Sequence, residues 1–347
     1  MRGRSIRGHR WRSCVAARDT RCMSVLAAVV TALVLPGGIF DSIQPAGGRL
    51  LVSGSRPGNV CVWLTVEPVS LKAKQARGSC SRPLRSAHAA VPVVIPNPRS
   101  QWQAVRIAHV GTSVTSGPIV MRYQDGSDTR PVSTYGPGSL WLYDVDTEHG
   151  PELLRFSSRT GRLEQTVTMP RLYRPVIAAD KDGLYLMAAV NGGVSGQERA
   201  ALYHVAPGAH KPVIIHREGR AALWITAHGH TVWTDIISGA HHAALWRFDG
   251  AKARATRLSR KTIGTAPAAT YGGGSLWTVT PTWASRYSGQ CTSETVDQIN
   301  PTTGRAKIVA TVKASGYCSL ILDPQGLAFA NGAFYFLSGT RLYRVRP

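Results

Sequence analysis

Apolar and polar residues alternate along most of this chain in short runs, each bounded by Gly, Pro, Asn or Asp. Strict alternation over four to eight residues puts every second side chain on one face, which predicts half-buried β-strands. The runs come in sets. A glycine-containing corner followed by an aromatic-bearing run occurs in "GSLWLYDV" (138–145), "DGLYLMAAV" (182–190), "GHTVWTDI" (229–236), "GGSLWTVT" (273–280) and "NGAFYFLS" (331–338). Trp141, Tyr185, Trp233, Trp277 and Tyr335 hold equivalent places, separated by 44, 48, 44 and 58 residues. A period of about 40 to 50 residues is the size of one four-stranded propeller blade.

The segment after each aromatic run repeats as well. "LLRFSSRTGRLEQTVTM", "ALYHVAPGAHKPVIIH", "ALWRFDGAKARATRLS" and "TVDQINPTTGRAKIVATV" each read as a strand, a glycine-containing turn and a second strand. A large flat side chain on an inner strand suits such a repeat. It fills the wedge between neighbouring blades, burying roughly 150 to 250 Å² that one blade alone leaves open. Residues 49–134 are less regular, but "RLLVSG", "NVCVWLTV", "VPVVIP", "WQAVRIAHV" and "GPIVMRY" supply strands for about two more blades. The expected fold is therefore all-β, a single propeller of seven four-stranded blades over residues 41–347. After Gly326 only three strand candidates remain, so a strand from the N-terminal side, near Arg49–Ser53, is expected to complete the last blade and hide its edge.

The order of glycine corner, aromatic strand and then "LLRFSSRTGRL" or "VDQINPTTGRA" resembles the bacterial seven-bladed propellers of the NHL, YVTN and virginiamycin B lyase-like type. The resemblance covers about residues 110–347. It implies the propeller architecture and little about activity, because propellers host sensors, scaffolds, carbohydrate binders, lactonases and lyases alike.

Charge adds a second layer. The net charge of +22 arises from 41 Lys and Arg against 19 Asp and Glu, and charged residues are only 17% of the chain. Such a composition, with 35 Gly and 21 Pro, has many turns and few solvated helical faces. Basic residues gather at 1–22, between Leu71 and Ile107, and at Lys252, Arg254, Arg257, Arg260 and Lys261. They favour an anionic partner such as an envelope polymer, or a protein partner. No recognition helix or zinc finger accompanies them, so nucleic acid is not an expected partner.

The Arg-rich start, 1–22, reads as a cytoplasmic n-region. Residues 23–40 come next as a hydrophobic helix, either a signal peptide or a membrane anchor, with an aliphatic core over Val25–Leu35. Either reading leaves the positive charge on the cytoplasmic side and the propeller extracytoplasmic, secreted or tethered to the membrane, as a monomer. Cysteines fit an exported chain. Cys61 with Cys80 and Cys291 with Cys318 form the two local pairs that would close the shortest loops as disulfides. Four cysteines allow three pairings, and none shows metal-ligand spacing.

Candidate chemistry is sparse. His228 and His230 in "ITAHGHTVW", and His241 and His242 in "SGAHHAALW", are candidate ligand-face residues if loops on one face gather them. Asp235 is the nearby acid. No nucleophile elbow or phosphate loop occurs, no catalytic residue is singled out, and no cofactor or metal is expected. The expected function is an exported, non-enzymatic propeller that binds a ligand, an envelope polymer or a protein at one face of its channel. The alternative is a lyase- or lactonase-type enzyme using a metal at the channel mouth.

Overall fold

The computed structural model describes residues 28–35, 39–46, 48–56, 60–75, 87–95, 102–111, 114–124, 131–144, 147, 149–190, 199–217, 222–239, 242–250, 254–258, 268–283, 291–314 and 326–347. Strand β1 is Val29–Val34. Blade I holds β2 (Ile39–Ala46), β3 (Arg49–Arg56), β4 (Val60–Val66) and β5 (Ala73–Gln75). A sheet of β6 (Ala87–Ile95), β7 (Trp102–Gly111) and β8 (Val114–Gln124) comes next. Blade II is β9 (Val132–Gly136), β10 (Ser139–Asp144), β11 (Glu152–Ser157) and β12 (Leu163–Thr168). Blade III is β13 (Tyr173–Asp180), β14 (Gly183–Val190), β15 (Arg199–Val205) and β16 (Val213–Arg217). Blade IV is β17 (Ala222–His228), β18 (Thr231–Gly239), β19 (His242–Asp249) and β20 (Arg254–Arg257). Blade V is β21 (Ala269–Gly272), β22 (Ser275–Trp283), β23 (Cys291–Ile299) and β24 (Ala306–Lys313). Blade VI is β25 (Leu327–Ala330), β26 (Ala333–Ser338) and β27 (Arg341–Arg346), with β1 on its outer edge.

Among the described residues the propeller therefore has six four-stranded blades, not the seven expected, and a separate three-stranded sheet, β6–β8. Val105, Ile107 and Met121 of this sheet pack on Leu140, Leu142, Leu154 and Phe156 of blade II.

Two expectations about the N-terminus also change. Arg49–Arg56 is the second strand of blade I, and the strand that completes blade VI is β1, from inside the stretch expected to be a hydrophobic helix. Val29, Val30 and Thr31 are β-branched and favour a pleated strand. Leu33 is buried while its neighbour Val34 is exposed, as alternation requires. Residues 1–27 and 36–38 lie outside the described residues.

The aromatic repeat occupies the predicted place. All five rings are at most 5% exposed, and each stands on the second strand of its blade. Each also belongs to the cluster between its own blade and the next: Trp141 for II and III, Tyr185 for III and IV, Trp233 for IV and V, Trp277 for V and VI, and Tyr335 for VI and I.

Strand register explains why the wedge fits. The inner-strand partners of the five rings are Thr134, Ala178, Thr226, Thr270 and Ala328. Their third-strand partners are Arg155, His204, Arg247, Gln298 and Arg344. Directly opposed residues share a face. Blades splay outward from the axis, so the gap takes a small residue, then a ring, then a long polar side chain whose stem covers the ring. The Arg155 guanidinium lies 5.6 Å from the centre of the Trp141 ring, and His204 stacks on Tyr185 at 4.7 Å.

The next blade presses on two of these rings through its inner strand. Tyr271 stacks on Trp233 at 5.1 Å, and Phe329 stacks on Trp277 at 5.9 Å. Phe329 reaches that position because Gly272 has no side chain: a Cβ there would stand 2.1 Å from the Phe329 Cγ. Gly272→Ala is expected to drive Phe329 off the Trp277 ring and cost about 1 to 3 kcal/mol, as overpacked cores do; a thermal melt of the variant checks this.

Candidate functional site

The six inner strands enclose a central cavity of about 260 Å³. Its wall carries the hydroxyls of Ser133, Thr134, Thr226 and Thr270, the rings of Tyr135, Tyr271 and Phe329, and otherwise aliphatic side chains and Pro45. The wall contains no carboxylate, imidazole, ammonium or guanidinium among the described residues. The same register rule that wedges the rings produces this chemistry, since the innermost position opposite each ring admits only Thr or Ala in blades II to VI.

Ionisable groups collect at one mouth of the cavity, on the turns that join first and second strands. His228 follows the wall residue Ala227 and stacks on Tyr271 at 4.4 Å. Asp180 follows the wall residue Ala179 and accepts the Asp182 N–H at 2.8 Å, which shapes the turn. His204 Nε2 lies 3.0 Å from the Asp182 carbonyl oxygen. His230 Nδ1, from blade IV, lies 3.3 Å from Asp182 Oδ2 of blade III. Burial holds the Asp180 carboxyl above the ordinary carboxylate range, against the pull of the Asp182 N–H. Burial, with Asp180 and Asp182 nearby, raises the Tyr185 phenol above its usual value.

Among the described residues, His242 does not join His228 and His230. His228 and His230 stand at the β17–β18 turn, whereas His242 opens β19 beyond the far end of β18. The nine residues of β18 separate the two ends by roughly 30 Å at about 3.3 Å per residue. His241 lies outside the described residues. Among the described residues no group of three or more His, Cys, Asp or Glu side chains is arranged to hold a metal ion.

Two acids are deeply placed: Asp235, named above only as the acid near the histidines, and Glu294, which the sequence did not single out. Asp235 is 0% exposed in the middle of β18, and neither carboxylate oxygen has a hydrogen-bond partner among the described residues. Burial lifts its pKa to about 7. Glu294 on β23 is likewise 0% exposed, and burial lifts it to about 7 while the nearby Ser338 hydroxyl of blade VI acts in the opposite direction. The available signal was phase. Asp235 falls two residues after Trp233, and Glu294 two before Val296, so both take core-facing positions in their strands.

Of the cysteines, Cys61 lies on β4 and Cys291 opens β23, while Cys80 and Cys318 lie outside the described residues. Cys291 is disulfide-bonded. Non-reducing peptide mapping is expected to recover the Cys291 peptide joined to that of Cys318; recovery joined to any other cysteine contradicts the local pairing.

No family model matches this sequence, and no curated protein matches it. Solved structures do match. An oligogalacturonate lyase in complex with manganese is 12% identical at a TM-score of 0.53, covering 93% of this chain and 94% of that one. The periplasmic gluconolactonase PpgL of Pseudomonas aeruginosa is 12% identical at a TM-score of 0.53, covering 80% and 86%. The WD40 domain of coronin from Toxoplasma gondii is 10% identical at a TM-score of 0.51, covering 92% and 86%. At these identities the likeness shows a β-propeller and no activity.

Proposed function

We propose that this protein is a non-enzymatic binding propeller that takes a small, uncharged ligand at the histidine-bearing mouth of its channel. The observation that supports the reading is the wall chemistry: hydroxyls and aromatic edges around a cavity of about 260 Å³, without ionised groups among the described lining residues. Such a wall hydrogen-bonds and packs a neutral molecule, and it leaves the charge of an ionic ligand unpaired. A lyase or lactonase chemistry built on a divalent cation asks for oxygen ligands projecting into the channel. The mouth's Asp180 and Asp182 do not gain a third ligating His, Cys, Asp or Glu side chain in an arrangement that could hold a metal ion among the described residues. An extracytoplasmic location is part of the proposal and draws on Cys291, since structural disulfides persist in oxidising compartments.

Isothermal titration with a panel of neutral mono- and disaccharides, and with their anionic counterparts, tests the reading. Ala179→Trp, which fills the cavity from blade III, is expected to abolish binding of any neutral hit. Binding of the anionic members alone, or turnover of one that depends on added manganese, contradicts it.

A further inference from the structure

We propose that Val29–Leu35, from an apolar run patterned like the core of a signal peptide, is kept in the folded protein as the clasp of the propeller, neither cleaved away nor left in a membrane. β1 pairs with β27 without a break, from Val29 opposite Arg346 to Val34 opposite Arg341. The Leu35 N–H then donates to the Thr340 carbonyl at 2.8 Å. Leu33 and Leu35 are buried in the cluster that joins blades VI and I, with Phe40, Tyr335 and Leu342.

A polar knot locks the strand in place. Arg344, the third-strand partner of Tyr335, donates from Nε to Thr31 Oγ1 of β1 at 3.0 Å. Its Nη1 donates to the Pro68 carbonyl at 2.9 Å and also to that of Val69, both in the β4–β5 turn of blade I. The Tyr335 hydroxyl donates to the same Pro68 carbonyl at 3.0 Å. One guanidinium thus ties the N-terminal strand, the C-terminal strand and the first blade together at the seam.

The two uses of the run exclude each other. A membrane span needs about 20 residues with every backbone group satisfied inside a helix. In the propeller β1 is instead extended along β27, a conformation that a spanning helix cannot share. Cleavage just after the run removes the strand, leaves the β27 edge bare and takes Thr31 from Arg344, whereas a bare edge is what propellers are built to avoid. Any leader removal that leaves the ring closed must therefore fall before Val29. This holds whether or not the chain is exported, so it stands or falls separately from the ligand proposal.

The test needs first the unmodified protein from its own cells, fractionated with an alkaline carbonate wash and weighed intact. The expected result is release from membranes and a mass that includes Val29–Leu35. Then Val29→Cys with Arg346→Cys, register partners, in the full chain, should give a linked 29–346 peptide under a short thiol crosslinker. A folded protein whose first residue lies between 36 and 41 overturns the proposal, as does carbonate-resistant protein without the 29–346 link.

Discussion

Replacing Trp277 by alanine is expected to cost about 3 to 5 kcal/mol of folding stability, the range for a large aromatic removed from a packed core. The ring is 1% exposed between blades V and VI. It stacks on Phe334 at 5.4 Å and on Phe329 at 5.9 Å, and its Nε1–H donates to the Gly272 carbonyl at 2.9 Å. Alanine removes the apolar fill and the donor together, and leaves Phe329 and Phe334 without the ring on which both stack. Trp277→Phe keeps most of the fill and loses the hydrogen bond, so a cost of about 1 to 2 kcal/mol is expected. Equilibrium urea unfolding of the three proteins measures the difference. A cost below about 1 kcal/mol for the alanine variant would show that the wedge between blades does not carry the core.

Asp235→Asn is expected to stabilise the protein at pH 8 by on the order of 3 to 4 kcal/mol relative to its effect at pH 4. In the folded chain burial holds the carboxyl near pKa 7, above the 3.8 of an ordinary aspartate. As pH rises between these values, the unfolded chain gives up a proton that the folded chain keeps. Stability attributable to Asp235 is therefore greatest near pH 4, declines towards pH 7 and is level above it. Asparagine carries the same unsatisfied burial at every pH, so it removes the slope without copying it. Glu294→Gln is expected to flatten the same region of the profile, since burial raises that carboxyl to about 7 as well. Urea unfolding at half-unit steps from pH 4 to pH 8 reads both. A wild-type profile without a decline between pH 4 and pH 7, or one that survives both substitutions, contradicts the assignment of these acids.

Much of the architecture was legible because its determinants are local. The corner glycines and the rings at Trp141, Tyr185, Trp233, Trp277 and Tyr335 state the blade period directly, and ring size explains the wedge. The blade count was less legible. Residues 87–124 hold strands as apolar as any in the ring, so the sequence counts them towards a blade, whereas the described residues pair them as a three-stranded sheet. The clasp was hidden for a different reason. An aliphatic run after an arginine-rich start has the same composition whether it becomes a membrane helix or an edge strand, and only the partner β27, over 300 residues later, decides.

The candidate site was the least legible part. Counting histidines brought His228, His230, His241 and His242 together, because they look close along the chain; the nine-residue strand β18 carries His242 away from His228 and His230. The channel wall gave no motif at all, since its Thr and Ala residues are defined by standing opposite a ring on the next strand. That relation exists in register and not in spacing. The buried acids had a signal, their alternation phase.

A crystal structure of the full chain would decide between this architecture and any other. Six four-stranded sheets around one channel are expected, with Trp141, Tyr185, Trp233, Trp277 and Tyr335 each on the second strand of its sheet and turned towards the next, and with Val29–Val34 hydrogen-bonded to Arg341–Arg346. Rings in unrelated surroundings, or a last sheet completed by any other strand, would refute the wedge-and-clasp design.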